Sequence, residues 1–219
     1  MEYLVTVCRL LAKGILYLLR EYVVRFDVID DYVIDIQWRG KVVDFWTAAF
    51  MCAAYNGNLD ILVWTKENKD IILTSGFLLC NEAAKGGRLQ VLQWLHQNGS
   101  PSNDNTCRAA AANGHLDILQ WLHQNGCPWN KDTFSGAARN GHFEILKWLH
   151  ENGCPWNKYT CSSAAGGGHI EILKWLRQNG CRWDSKTCEA ALDNGHLEIF
   201  EWAITNGCPF NEYYEGYYY

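Results

Sequence analysis

The sequence predicts an all-α solenoid of helix-turn-helix repeats, and three observations predict it. The stretch Asn113–Asn130 (NGHLDILQWLHQNGCPWN) returns almost unchanged at Asn140–Asn157, and with small changes at Gly86–Asn103, Gly167–Asp184 and Asn194–Asn211. Its spacing is fixed: Gly87, Gly114, Gly141, Gly168 and Gly195 stand 27 residues apart. Each copy holds one apolar helix-length run between two Gly-containing turns. A unit of that size cannot bury its own apolar face, so copies must stack.

Within a copy, Lys131–Cys154 shows how each element arises. Thr133 stands where a hydroxyl can cap a short first helix. Ala137-Ala138 recur as a small pair in five repeats, with Ala191-Leu192 in another, and small residues let helices approach closely. Asn140-Gly141 supplies the turn, because Gly reaches backbone conformations closed to other residues. The second helix carries Phe143, Ile145, Leu146, Trp148 and Leu149, an apolar face broad enough to need two neighbours. Asn152-Gly153 ends it. Pro155, which lacks an amide hydrogen and disfavours helix at the residue before it, keeps Cys154–Asn157 extended.

The flanks read differently. Residues 1–43 form an expected N-terminal helical cap or decayed repeat, with Tyr32–Val43 a short hairpin around Arg39-Gly40 or an extended linker. Residues 44–211 hold about six repeats, the first readable one at Thr47–Glu67. The step from Gly57 to Gly87 is longer than the rest, and the loop Lys66–Ser75 is the expected place for the extra residues. Residues 212–219 are a Tyr-rich tail.

Composition narrows the function. The chain has 219 residues, 48% hydrophobic, and a net charge of −5 from 19 basic and 24 acidic residues. The repeats favour one elongated domain. Scattered Lys and Arg argue against nucleic acid as the main partner, which needs clustered positive charge. Glu2 and the interrupting Arg9 and Lys13 leave neither a signal peptide nor a membrane span in the apolar N-terminal stretch, so an intracellular, cytoplasmic protein is expected.

Eight of the ten cysteines fall in two rows, Cys80, Cys107, Cys161 and Cys188 in the first, Cys127, Cys154, Cys181 and Cys208 in the second. Equivalent positions in stacked helices lie about 8–10 Å apart, too far for a disulfide. No C-x-x-C pair supports zinc. The cysteines therefore read as small buried residues in a reducing compartment. His115, His142, His169 and His196 lie a repeat apart and cannot share a metal ion; a helix-start hydrogen-bonding role is expected for them. No nucleophile–base set, paired catalytic carboxylates or phosphate-binding Gly loop appears, so neither catalysis nor a cofactor is expected. Trp94, Trp121, Trp148, Trp175 and Trp202, extended by Trp64, read as packing between repeats; Trp129, Trp156 and Trp183 lie in the connecting segments. A row of aromatics is also what single-stranded nucleic acid stacks on, which gives an alternative reading.

These residues resemble ankyrin repeats. That family's unit is an Ala-Ala pair, two variable residues, Gly-His-Leu, an acidic residue and an apolar helix ending in Asn-Gly. Ala137-Ala138-Arg139-Asn140-Gly141-His142-Phe143-Glu144-Ile145-Leu146 matches it. The ankyrin unit has about 33 residues. The missing ones fall where the family has its protruding β-hairpin, so shortened loops are expected there. The Trp-Leu-His-x-Asn-Gly-Cys-Pro-Trp-Asn wording resembles ankyrin proteins of giant DNA viruses of amoebae and of protists and oomycetes. In some of those viral proteins an F-box precedes the repeats; residues 1–40 lack its Leu-Pro pattern with spaced Leu and Trp.

The resemblance implies a protein–protein interaction scaffold that binds a partner protein on its concave face, lined by loops and first helices. The candidate contacts are the positions that vary while the frame stays fixed. They are Asp104, Asn105 and Arg108; Lys131, Asp132 and Ser135; Lys158, Tyr159 and Ser162; and Ser185, Lys186 and Glu189. Tyr159 is the expected anchor, since aromatic residues dominate interface energetics. A second reading is a substrate adaptor of a ubiquitin ligase, recruited through residues 1–40.

Overall fold

The computed structural model describes residues 35–38, 41–69 and 72–210. The expected N-terminal helices before residue 35 and the Tyr-rich tail lie outside the described residues. The backbone divides into two compact units, one ending at Ser102 and the other beginning at Asn103. A single elongated domain was the expectation. Repeats touch only their neighbours, so no shared core need bind the whole array into one cluster.

The first unit opens with an antiparallel ladder, β1 (Asp35–Trp38) and β2 (Lys41–Asp44), in which Ile36 faces Val43 and Gln37 faces Val42. Of the two readings of Tyr32–Val43, the ladder corresponds to the short hairpin, not the extended linker. The ladder lies against α1 (Phe45–Asn56), which packs on α2 (Leu59–Lys69) and α3 (Ile72–Lys85); α4 (Leu89–Gln97) packs on α3. The extra residues near Lys66–Ser75 do not form a long loop. They lengthen helices instead: α2 runs 11 residues and α3 runs 14, against 9 for α4.

The second unit holds four helix pairs: α5 (Asp104–Ala112) with α6 (Leu116–Gln124), α7 (Lys131–Arg139) with α8 (Phe143–Glu151), α9 (Lys158–Gly166) with α10 (Ile170–Gln178), and α11 (Ser185–Asp193) with α12 (Leu197–Thr205). Short extended segments join these four pairs, with no β-hairpin in any of the joins. First helices pack side by side, α5 on α7, α7 on α9 and α9 on α11, and their backbones approach more closely than those of the second helices. The cause is residue size. The fully buried pairs Ala110-Ala111, Ala137-Ala138 and Ala164-Ala165 line the first-helix contacts. Ile118-Leu119, Ile145-Leu146 and Ile172-Leu173, with Leu122, Leu149 and Leu176, fill the space behind them. Each such side chain contributes about 1.5–3 kcal/mol by leaving water.

The caps correct one reading. First helices begin two residues before the threonine, and the N-cap, three residues before it, is Asn103, Asn130, Asn157 or Asp184. Thr106, Thr133 and Thr160 close a reciprocal capping box from the third helical position, accepting a hydrogen bond from the cap residue's own N–H. The fold explains the turn glycines as well. Gly141 has φ +80, and a Cβ there would lie 2.6 Å from the His169 ring.

Candidate functional site

The N-terminal turns of α5, α7, α9 and α11 carry all twelve variable residues. Because an Asn or Asp caps each helix in the same way, the first, second and fifth helical positions recur at equivalent places along the row. Those places differ in what their side chains can do.

The first positions brace neighbouring repeats. Asp104 accepts a hydrogen bond from the Nδ2 of Asn130, the next cap, at 2.6 Å, and another from the N–H of Asn105 at 2.9 Å. The Lys158 ammonium pairs with Asp184, again the next cap, at 2.7 Å, and the carboxylate raises the Lys158 pKa. Lys131 is exposed and Ser185 half-buried. The second positions, Asn105, Asp132, Tyr159 and Lys186, are all exposed. At the fifth positions, Arg108 is exposed and its stem runs past Gly136, where a Cβ would sit 3.6 Å from Arg108 Cγ. Ser135 shares a hydrogen bond with Thr160 at 3.3 Å, and Ser162 donates to the Tyr159 carbonyl at 3.0 Å. Glu189 is half-buried.

The structure thus brings three of the twelve to one spot. Tyr159 is 43% exposed, and the ammonium groups of Lys158 and Lys186 each lie 5.5 Å from its ring centroid. Both cations sit within reach of the ring's π face, which holds their long stems near one geometry. Lys158 is already paired with Asp184, so the plate can accept an apolar side chain and the Lys186 ammonium a carboxylate beside it. Asp104, Ser135 and Ser162 are instead occupied by scaffold contacts.

On the second-helix side the structure shows an arrangement the sequence reading kept as separate rows. His123 stacks on Trp129 at 4.0 Å, and the edge of Trp148 from the next repeat meets both. His150, Trp156 and Trp175 repeat the triad. In the third, Arg177 lies 4.1 Å over Trp183, and Trp183 meets Trp202. The signal available in the sequence was the constant interval between His123 and Trp129 and between His150 and Trp156. In these triads a face of Trp129 and of Trp156 is covered by a His ring, so that face offers no platform to a nucleic-acid base.

The helix-start histidines do not cap their own helices. His142 donates through Nε2 to the Ala112 carbonyl and His169 to the Arg139 carbonyl, each at 3.1 Å and each in the preceding repeat. Their rings lie over Gly114 and Gly141, and the His196 ring over Gly168. In the first unit Arg88 takes this role, bonding the Tyr55 carbonyl at 3.0 Å. The second-row cysteines also have a structural duty. Cys127, Cys154, Cys181 and Cys208 donate to the carbonyls of Asn103, Asn130, Asn157 and Asp184, closing each repeat's exit onto its own first cap. Burial pushes the Cys154 thiol up to about 12. No group of three or more metal-ligating side chains is found among the described residues.

The family model for ankyrin repeats (many copies) matches residues 80–123 and 136–177. These segments are similar to ankyrin repeats. No curated protein matches the sequence. Ankyrin repeats generally mediate protein–protein interaction. Six of the twelve variable residues, Asp104, Asn105, Arg108, Lys158, Tyr159 and Ser162, lie within the matched ankyrin segments. Among the described residues no helix is long and apolar enough to cross a membrane.

Proposed function

We propose that the chain is a non-catalytic recognition module, with about six ankyrin-like repeats over residues 44–211, that binds a partner protein along the N-terminal turns of its first helices. The observation that carries this is Tyr159, exposed at the second position of α9 with the ammonium groups of Lys158 and Lys186 beside its ring. Exposed aromatic and cationic residues held in place by a rigid scaffold lose little freedom on binding, so more of their contact energy appears as affinity. The partner is therefore a protein segment presenting an apolar side chain beside a carboxylate. The 27-residue wording favours a giant-virus or protist source and action in the host or cell cytoplasm.

The test is affinity purification from extract with the native chain beside a variant in which Arg108, Asp132, Tyr159 and Lys186 are all alanine. Circular dichroism first establishes that both fold. Proteins recovered with the first and lost with the second are the expected result. Identical recoveries would refute the first-helix row as the binding surface, and ligase subunits among the lost proteins would specify the adaptor role.

A further inference from the structure

The two cysteine rows were set apart by the 27-residue interval within each row, but the interval between rows is what matters in three dimensions. A first-row position and the second-row position 20 residues later belong to one repeat. Three repeats carry cysteine at both: Cys107 with Cys127, Cys161 with Cys181, and Cys188 with Cys208. Two others carry sulfur at only one, since Phe134 stands opposite Cys154 and Ser100 opposite Cys80.

In the folded chain Cys107 and Cys127 are in contact, Sγ to Sγ at 3.3 Å. Cys161 reaches the Cys181 carbonyl at 4.0 Å, and Cys188 and Cys208 share one buried cluster. A disulfide bond is about 2.05 Å long, so closing the first pair asks for a shift of about 1.3 Å, within reach of side-chain rotation. Exposure separates the pairs. Cys181 and Cys208 are buried at 1% and 5%, whereas Cys127 is only half-buried. Cys127 is also the thiol of its pair that carries charge more readily. The hydrogen bond from Cys107 lowers its pKa against the opposing effects of burial and Asp104, while Cys107 itself is pushed up. Thiolate character with solvent access is what makes a cysteine reactive.

We propose that Cys107 and Cys127 are an oxidative modification site, a dithiol that a small hydroperoxide converts reversibly to an intra-repeat disulfide. The Cys127 thiolate attacks one peroxide oxygen, the O–O bond breaks, and the departing oxygen takes a proton and leaves as water or an alcohol. Cys127 is then a sulfenic acid. The Cys107 sulfur attacks the Cys127 sulfur; the S–O bond breaks, and the hydroxyl leaves with the Cys107 proton as water. Two thiols and one hydroperoxide give one disulfide, one water and one alcohol or second water, with two electrons passing from sulfur to oxygen. A dithiol reductant reverses it by exchange. Cys107 thereby serves as a resolving thiol already in place. The proposal does not depend on partner binding.

The full chain, reduced and freed of reductant, is treated with hydrogen peroxide, alkylated and digested with trypsin without reduction. Cleavage after Arg88, Arg108 and Lys131 places Cys107 and Cys127 alone on adjacent peptides, Leu89–Arg108 and Ala109–Lys131. The expected product is these two peptides joined, two hydrogens lighter than their sum, and separated again by dithiothreitol. Cys154, opposite Phe134, gains no link within its repeat. In Cys107→Ser, Cys127 should accumulate as a sulfenic acid trapped by dimedone. Peptides that remain separate, or Cys127 linked to other cysteines or driven to sulfinic acid in the native chain, would overturn the proposal. The native-chain map alone decides it, should the variant fail to fold.

Discussion

Along the first helices of residues 103–210 the second helical position holds Asn105, Asp132, Tyr159 and Lys186 in turn, four different side chains on one repeated frame. On the second-helix side the recurring unit is a cation or imidazole over one Trp with a second Trp at its edge, three times over. The difference lies in what each position touches. A Trp wedged between repeats must fit a gap of constant width, so its identity is fixed by packing. A second-position side chain meets water, and its capping neighbours set its place without setting its identity. The same frame thus supplies rigidity on one side and choice on the other.

Substitutions can break that contrast, and the largest effect belongs to the aromatic side. Trp148→Ala removes the ring that meets His123 and Trp129 and should cost about 3 kcal/mol in urea denaturation. A loss below about 1 kcal/mol would place Trp148 outside the load shared between repeats. Next come the turns. Gly141→Ala must hold φ +80 with its new Cβ against the His169 ring, and should cost about 2 kcal/mol. Gly153→Ala, at φ +76 with open space around it, should cost about 1 kcal/mol. Equal values would mean the histidine ring does not rest on the turn. Asn130→Ala removes a helix cap and a donor to Asp104, at about 1 kcal/mol. Tyr159→Ala should leave the unfolding midpoint within about 0.5 kcal/mol of the parent while strongly reducing partner recovery. A large loss of stability there would make Tyr159 part of the frame.

Much of the fold was legible because repetition amplifies weak local signals. One Asn140-Gly141 turn says little; five turns at a constant interval fix helix ends and pairing. The helix starts were misjudged because Asn130 and Thr133 act reciprocally, and the threonine's hydroxyl looks like a cap when its partner is overlooked. The extension near Lys66 went into helices because residues 59–69 and 72–85 carry no Pro and keep helix-forming composition. The candidate row was legible as a list of variable positions. That Lys186 of one repeat reaches the ring of Tyr159 in the one before it was not, since it depends on the distance between stacked helices. The cysteine pairs were hidden for the same reason. A comparison of equivalent positions measures the step from repeat to repeat, while the contact runs across a single repeat from first helix to exit.

The histidine that reaches back to the preceding turn gives the array a direction in time. Residues 112 and 142, or 139 and 169, are 30 apart in the chain. As the polypeptide is made, a turn carbonyl therefore waits until 30 more residues have followed before its donor exists. At the usual pace of synthesis that is roughly two to six seconds. During that interval the newest turn is capped by water and is the least settled part of the nascent array. Each arriving histidine closes the turn behind it, so the repeats are completed in the order in which they are translated.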